Sequence, residues 1–102
     1  MSDMDKKRAE MVPDSMKPEA IGARLRLIRE AHHLSKSELA DMLDIGRTPW
    51  SRFELGQRAI PYAQALKVVD HFGVTLDFII LGRVSGLTVE TLEKLRAAGW
   101  RR

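Results

Sequence analysis

Arg47, Thr48, Ser51 and Arg52 hold the side chains with most to offer a ligand. In a helix, successive residues turn by about 100°, so these four share one face while Trp50 and Phe53 point the other way. Arginine can donate two parallel hydrogen bonds to guanine O6 and N7. Threonine can offer a hydroxyl or touch a thymine methyl. Gln57 and Arg58 lie just beyond this face. The chemistry on offer is recognition of a base edge, although a merely solvated helix face would use the same residues. On the inner side of the same stretch, next to Phe53, sits Glu54. An unpaired buried carboxylate is expensive, so Glu54 either reaches water or has a cationic partner elsewhere.

Several short elements must position these groups. Residues 1–18 are charged, carry two prolines and show no clear period. They are expected to form a flexible N-terminal arm, with a brief helix around Asp5 to Met11. Ile21, Leu25, Ile28 and Ala31 recur at helical spacing, with Arg24, Arg26, Arg29 and Glu30 filling much of the rest, and predict a helix over 19–32. Ser35-Lys36-Ser37-Glu38 has the form of a capping box and opens a short helix over 36–43. Asp44-Ile45-Gly46 makes a tight connection to a third helix ending near Leu55, with Gly56 as its stop. Pro61 opens a fourth helix over 61–72, with Ala65, Leu66, Val69 and Phe72 on its inner face. Thr75 caps a fifth over 76–81, and Gly82 follows it. Thr88 and Gly99 bound a last candidate helix over 88–98, with a narrow apolar stripe of Val89, Leu92 and Leu95. No segment alternates as a strand would. The expected fold is all-α: a compact five-helix domain over 19–82 and a C-terminal helical extension over 83–102.

Composition narrows the function classes. A chain of 102 residues suits one small domain. It has no cysteine, hence no disulfide, thiolate metal site or cysteine nucleophile. It has no long apolar run and no apolar segment of a secretory leader, so no membrane partner is expected and a cytoplasmic location fits best. The net charge of +3 favours polyanions, though weakly.

Two short helices joined by about four residues form a helix-turn-helix. The run LSKSELADMLDIGRTPWSRFELGQRAIP, followed by VVDHFGVTLDFIILG, resembles the phage Cro and repressor-type helix-turn-helix family over roughly residues 20–82. The shared pattern is a Leu-Ala pair in the second helix, then Ser51, Glu54, Gly56 and Pro61, then Gly-Val-Thr-Leu-Asp and a closing glycine. The resemblance implies a lambda-repressor-like domain of bacterial or phage origin that binds double-stranded DNA, with no cofactor. It implies base contacts from Arg47, Thr48, Ser51 and Arg52, and phosphate contacts from Ser35, Lys36, Gln57 and Arg58. It also pairs Glu54 with an arginine near the end of the first helix, which by register is Arg29. Planar guanidinium is the best partner for a buried carboxylate.

The chain departs from the family pattern at four places. Lys36 replaces the usual glutamine and favours phosphate over a shaped base contact. Asp44 replaces a glycine where the chain often turns left-handed, a conformation aspartate tolerates better than most residues. Gly46 takes the capping place of a serine or threonine. Pro49 disfavours helical angles at Thr48, so the third helix starts either at Gly46 or at Thr48. In the second case Arg47 lies on the turn.

Other classes fit less well. His32 and His33 are adjacent and point apart, and His71 ends the fourth helix, so neither a metal site nor an enzyme is expected. Family members usually pair so that two reading helices meet successive major grooves, about 34 Å apart. Ile80, Leu81, Leu92 and Leu95 are the candidate dimer surface. The expectation is a homodimeric repressor on a palindromic operator. The alternative is an antitoxin or adaptor that binds a protein partner through its extension. Val89, Leu92, Leu95 and Trp100 could seat on such a partner, on a second copy, or back on the domain.

Overall fold

The first long helix, α1 (Pro18–Ala31), starts on a proline, whose missing N–H would lack an intrahelical partner in any case. The computed structural model describes residues 13–101. The brief helix expected around residues 5–11 lies outside them. A short 3₁₀ turn, Asp14–Met16, precedes α1 and packs on it. Ile21, Leu25, Ile28 and Ala31 are buried, as is Arg24, one of the charged residues between them.

The next two helices are α2 (Lys36–Met42) and α3 (Arg47–Glu54). The capping box is fully formed: Glu38 N–H donates to Ser35 Oγ at 3.1 Å, and Ser35 N–H to Glu38 Oε1 at 2.9 Å. Asp44 takes the left-handed conformation, with φ of 53°. It turns the chain into α3 while Leu43 and Ile45 on either side stay buried.

Arg47 is the first residue of α3, and Gly46 is its N-cap. Pro49 is therefore the third helical residue, still within the turn whose N–H groups lack intrahelical partners. The first helical bond runs from Trp50 N–H to the Gly46 carbonyl at 3.0 Å. Gly46 and Pro49 are coupled. A Cβ at position 46 would lie 3.0 Å from Pro49 Cδ, which disfavours the usual serine or threonine cap.

The last α-helices are α4 (Tyr62–Phe72) and α5 (Val89–Ala97). The inner face of α4 is Ala65, Val68 and Phe72; Leu66 and Val69 are only half-buried. Between the two helices, Asp77–Leu81 winds as a π-helical turn where an ordinary short helix is expected. Thr75 Oγ1 accepts from Phe78 N–H at 3.0 Å at its start. The Ile79 carbonyl near its end accepts from Arg24 Nη1 at 2.6 Å, and Arg24 Nη2 donates to the Ser15 carbonyl. A buried arginine thereby serves a carbonyl of the kind that helix ends leave unpaired.

Packing centres on α1, which touches α3, the π turn and α5. At Gly22 the backbones of α1 and α3 meet: a Cβ there would lie 2.4 Å from the Phe53 carbonyl oxygen. The C-terminal extension folds back. Leu95 is 1% exposed within the core, and Trp100 sits edge-on to Phe78 at 5.0 Å. Leu95 therefore leaves the candidate dimer surface, because its own domain has already buried it. Ile80, Leu81 and Leu92 remain half-buried at the surface. There is no strand among the described residues.

Candidate nucleic-acid interface

Glu54 holds α3 in place. Its side chain is 2% exposed and receives Arg29 Nε at 2.7 Å on Oε2 and Arg29 Nη2 at 3.0 Å on Oε1. The Trp50 indole N–H also donates to Oε2. Arg29 in turn reaches the Leu34 carbonyl through Nη1 at 2.9 Å. One guanidinium thus ties the end of α1, the loop into α2 and the last turn of α3. The hydrogen bonds that Arg29 donates to Glu54 hold the guanidinium above its ordinary pKa, against the opposing effect of burial. Charged, planar and bidentate, the pair fixes the direction in which α3 points.

On the opposite side of α3 lies a cleft of about 410 Å³ lined by Lys36, Ser37, Arg47, Thr48, Ser51, Arg52 and Gln57. Arg47, Thr48 and Arg52 are exposed, while Ser51 and Lys36 are half-buried. Lys36 Nζ reaches across from α2 to Ser51 Oγ at 3.3 Å. All four residues expected to read bases line this cleft, as do Lys36 and Gln57. Ser35 and Arg58 do not. Ser35 is engaged in the capping box, where Glu38 takes its N–H, and that bond holds the Glu38 carboxyl below its usual range. Arg58 lies 5.9 Å from the centre of the Phe53 ring.

A scan of family models matches residues 20–77 to a helix-turn-helix domain, more than half of the chain. The chain belongs to the helix-turn-helix domain family. No curated protein and no solved structure matches it. The helix-turn-helix proper is α2, the Leu43–Gly46 connection and α3. Its outer surface is the cleft just described.

Sequence reasoning missed three residues of this helix-turn-helix. Ser37 lines the cleft from the first turn of α2. Trp50, expected only as core, is also a donor to Glu54. Its spacing of four from Glu54 was the available signal, because an i, i+4 pair shares a helix face. The third is Asp41. Arg47 Nη2 donates to Asp41 Oδ2 at 2.9 Å, and Arg47 Nε to Oδ1 at 3.3 Å. These bonds hold the Asp41 carboxyl below its usual range and raise Arg47.

The histidines occupy other surroundings. His32 faces the Ile28 carbonyl through Nδ1 at 2.9 Å and packs on Phe72; His71 packs on the same ring. Among the described residues, no group of three or more His, Cys, Asp or Glu is placed to hold a metal. None of the described helices is long and apolar enough to cross a membrane.

Proposed function

We propose that the protein is a sequence-specific regulator of the Cro and repressor type, which binds duplex DNA and represses by occupying its operator. The observation that supports this best is the single cleft on the outer face of α3. It gathers two arginines, a lysine and four neutral hydrogen-bonding side chains from α2, α3 and the loop after α3. Cations supply sequence-independent attraction to phosphate, and the arginine and threonine tips supply base readout. Arg47, Thr48, Ser51 and Arg52 enter the major groove. Lys36 and Gln57 sit on the flanking phosphates, with Ser35 and Arg58 beside them. Such a regulator works in the cytoplasm of a bacterium.

One domain of this size reads about half a turn of groove, so the operator is two-fold symmetric and the protein binds it as a homodimer. The pairing surface consists of Ile80, Leu81 and Leu92, which are half-buried at the surface of the monomer. The alternative is an antitoxin or adaptor that relies on its extension to seat a protein partner. It finds less support, because Leu95 and Trp100 are spent on the domain itself.

Selection of bound sequences from a random duplex pool tests the reading, with Arg52→Ala beside the parent. The expected result is a two-fold symmetric motif whose preference weakens at one position per half-site in the variant. Affinity for the selected duplex should fall steeply with salt. A failure of the parent to enrich any sequence at low salt would end the reading.

A further inference from the structure

Asp41 is a carboxylate beside a face that is otherwise cationic. On a surface meant for phosphate, a bare carboxylate repels the ligand and has no evident use. Its placement suggests one. The Asp41–Arg47 pair joins the last turn of α2 to the first residue of α3, across the connection that contains Asp44. It is bidentate and side-on, engaging Nε and Nη2 of the guanidinium. A guanidinium has five N–H donors in a planar fork. Two are taken here, which leaves both hydrogens of Nη1 and the second of Nη2. Those donors form the end-on edge, whose spacing matches guanine O6 and N7. Arg47 also still lines the cleft while it is paired, whereas Asp41 does not. The carboxylate therefore engages Arg47 without itself lining the cleft.

We propose that Asp41 is a positioning residue that holds Arg47 with its end-on edge presented to a guanine in each half-site. This inference rests on the reading of the cleft as a duplex-binding face. Two consequences follow from the physics. A long, flexible side chain that is already ordered loses less freedom on binding. The pair also neutralises the charge of Arg47, so this arginine contributes shape-dependent recognition more than general attraction to phosphate. Asp41 thereby lowers non-specific binding while supporting the specific contact.

The experiment compares the full-length parent with Asp41→Ala, Asp41→Asn, Arg47→Ala and the Asp41→Ala/Arg47→Ala double variant. Each is carried through random-pool selection and through titration against the selected and a scrambled duplex over a series of salt concentrations. Asp41→Ala should relax the same base position that Arg47→Ala relaxes. Its discrimination at that position should fall on the order of tenfold. Binding to the scrambled duplex should rise, with a steeper salt dependence. The double variant should read like Arg47→Ala alone, because the two act as one unit. Asparagine keeps one acceptor and should fall between parent and alanine. Thermal melting of each variant separates these effects from loss of fold. If Asp41→Ala tightens specific binding instead, the carboxylate competes with DNA for Arg47 and the proposal fails. If it leaves that position unchanged, or relaxes a different one, the proposal also fails. If the parent itself selects nothing, the duplex-binding reading falls and takes this inference with it. The earlier outcomes overturn the inference alone.

Discussion

The domain carries two bidentate arginine–carboxylate pairs made of nearly the same atoms in opposite surroundings. Arg29–Glu54 has side chains 12% and 2% exposed; Arg47–Asp41 has side chains 65% and 61% exposed. In the first pair, water has been removed and every remaining bond must come from protein. Trp50 and the Leu34 carbonyl provide two of those bonds. In the second, water competes for every donor, and salt screens what is left. The same chemistry therefore does two jobs. The buried pair sets where α3 lies, and breaking it should show in stability. The exposed pair sets how one side chain on α3 is presented, and breaking it should show in what the protein binds.

The largest expected effect comes from splitting the buried pair. Glu54→Gln removes the charge but keeps the shape, leaving Arg29 charged beside a neutral amide. Losing one partner of a buried pair costs about 3–5 kcal/mol. For a domain of this size that lowers Tm by on the order of 10 °C or more. Urea and thermal denaturation measure it directly. A loss indistinguishable from that of an exposed pair would erase the contrast. A smaller effect is expected at Gly22, where α1 and α3 come together. In Gly22→Ala the new methyl meets a backbone oxygen, not a flexible side chain, so the helices must part. Overpacking of this kind costs about 1–3 kcal/mol. Because it moves α3 away from Arg29, Gly22→Ala combined with Glu54→Gln should cost less than the sum of the two.

This contrast also explains what the sequence reveals. The helices are legible because their burial follows a period and their ends carry local signals: the Ser35–Glu38 box, left-handed Asp44, and Gly56 and Gly73 with positive φ. The Arg29–Glu54 pair was legible only through the family resemblance. Burial alone says that Glu54 needs a cation, not which of the arginines on α1 supplies it. Arg24 shows the limit of periodicity. It falls outside the apolar stripe of α1, yet it is buried, between a residue that precedes α1 and one from the π turn. Nothing local marks the carbonyls of Ser15 and Ile79 as its acceptors. The π turn is hidden for a similar reason, because its apolar residues also fit an ordinary helical turn. Nothing local marks Asp41, because its partner Arg47 lies six residues on across the turn, outside the i, i+3 and i, i+4 spacings that pair side chains along one helix. Pro49 raised a question about where α3 begins that depended on a glycine three residues earlier.

The smallest expected effects belong to the exposed pair. Asp41→Ala and Arg47→Ala should both melt with the parent, since a pair open to water contributes little to folding. A large fall in Tm for either would show that this pair also belongs to the framework. Acid titration sharpens the point further. Hydrogen bonds from Arg47 depress the carboxyl of Asp41 below its ordinary value of 3.8. With a folded value below the unfolded one, any stabilising effect is present above pH 3.8 and fades as pH falls through the folded value. Following the Asp41 carboxyl carbon by NMR should therefore give a midpoint below 3.8 in the parent, rising toward it in Arg47→Ala. The same rise in the parent at high salt would show that the pair is largely screened. If the midpoint were the same in both proteins, Arg47 would not be held by Asp41 in solution. The arginine would then meet DNA as a free cation, and the division between a pair that builds and a pair that reads would be lost.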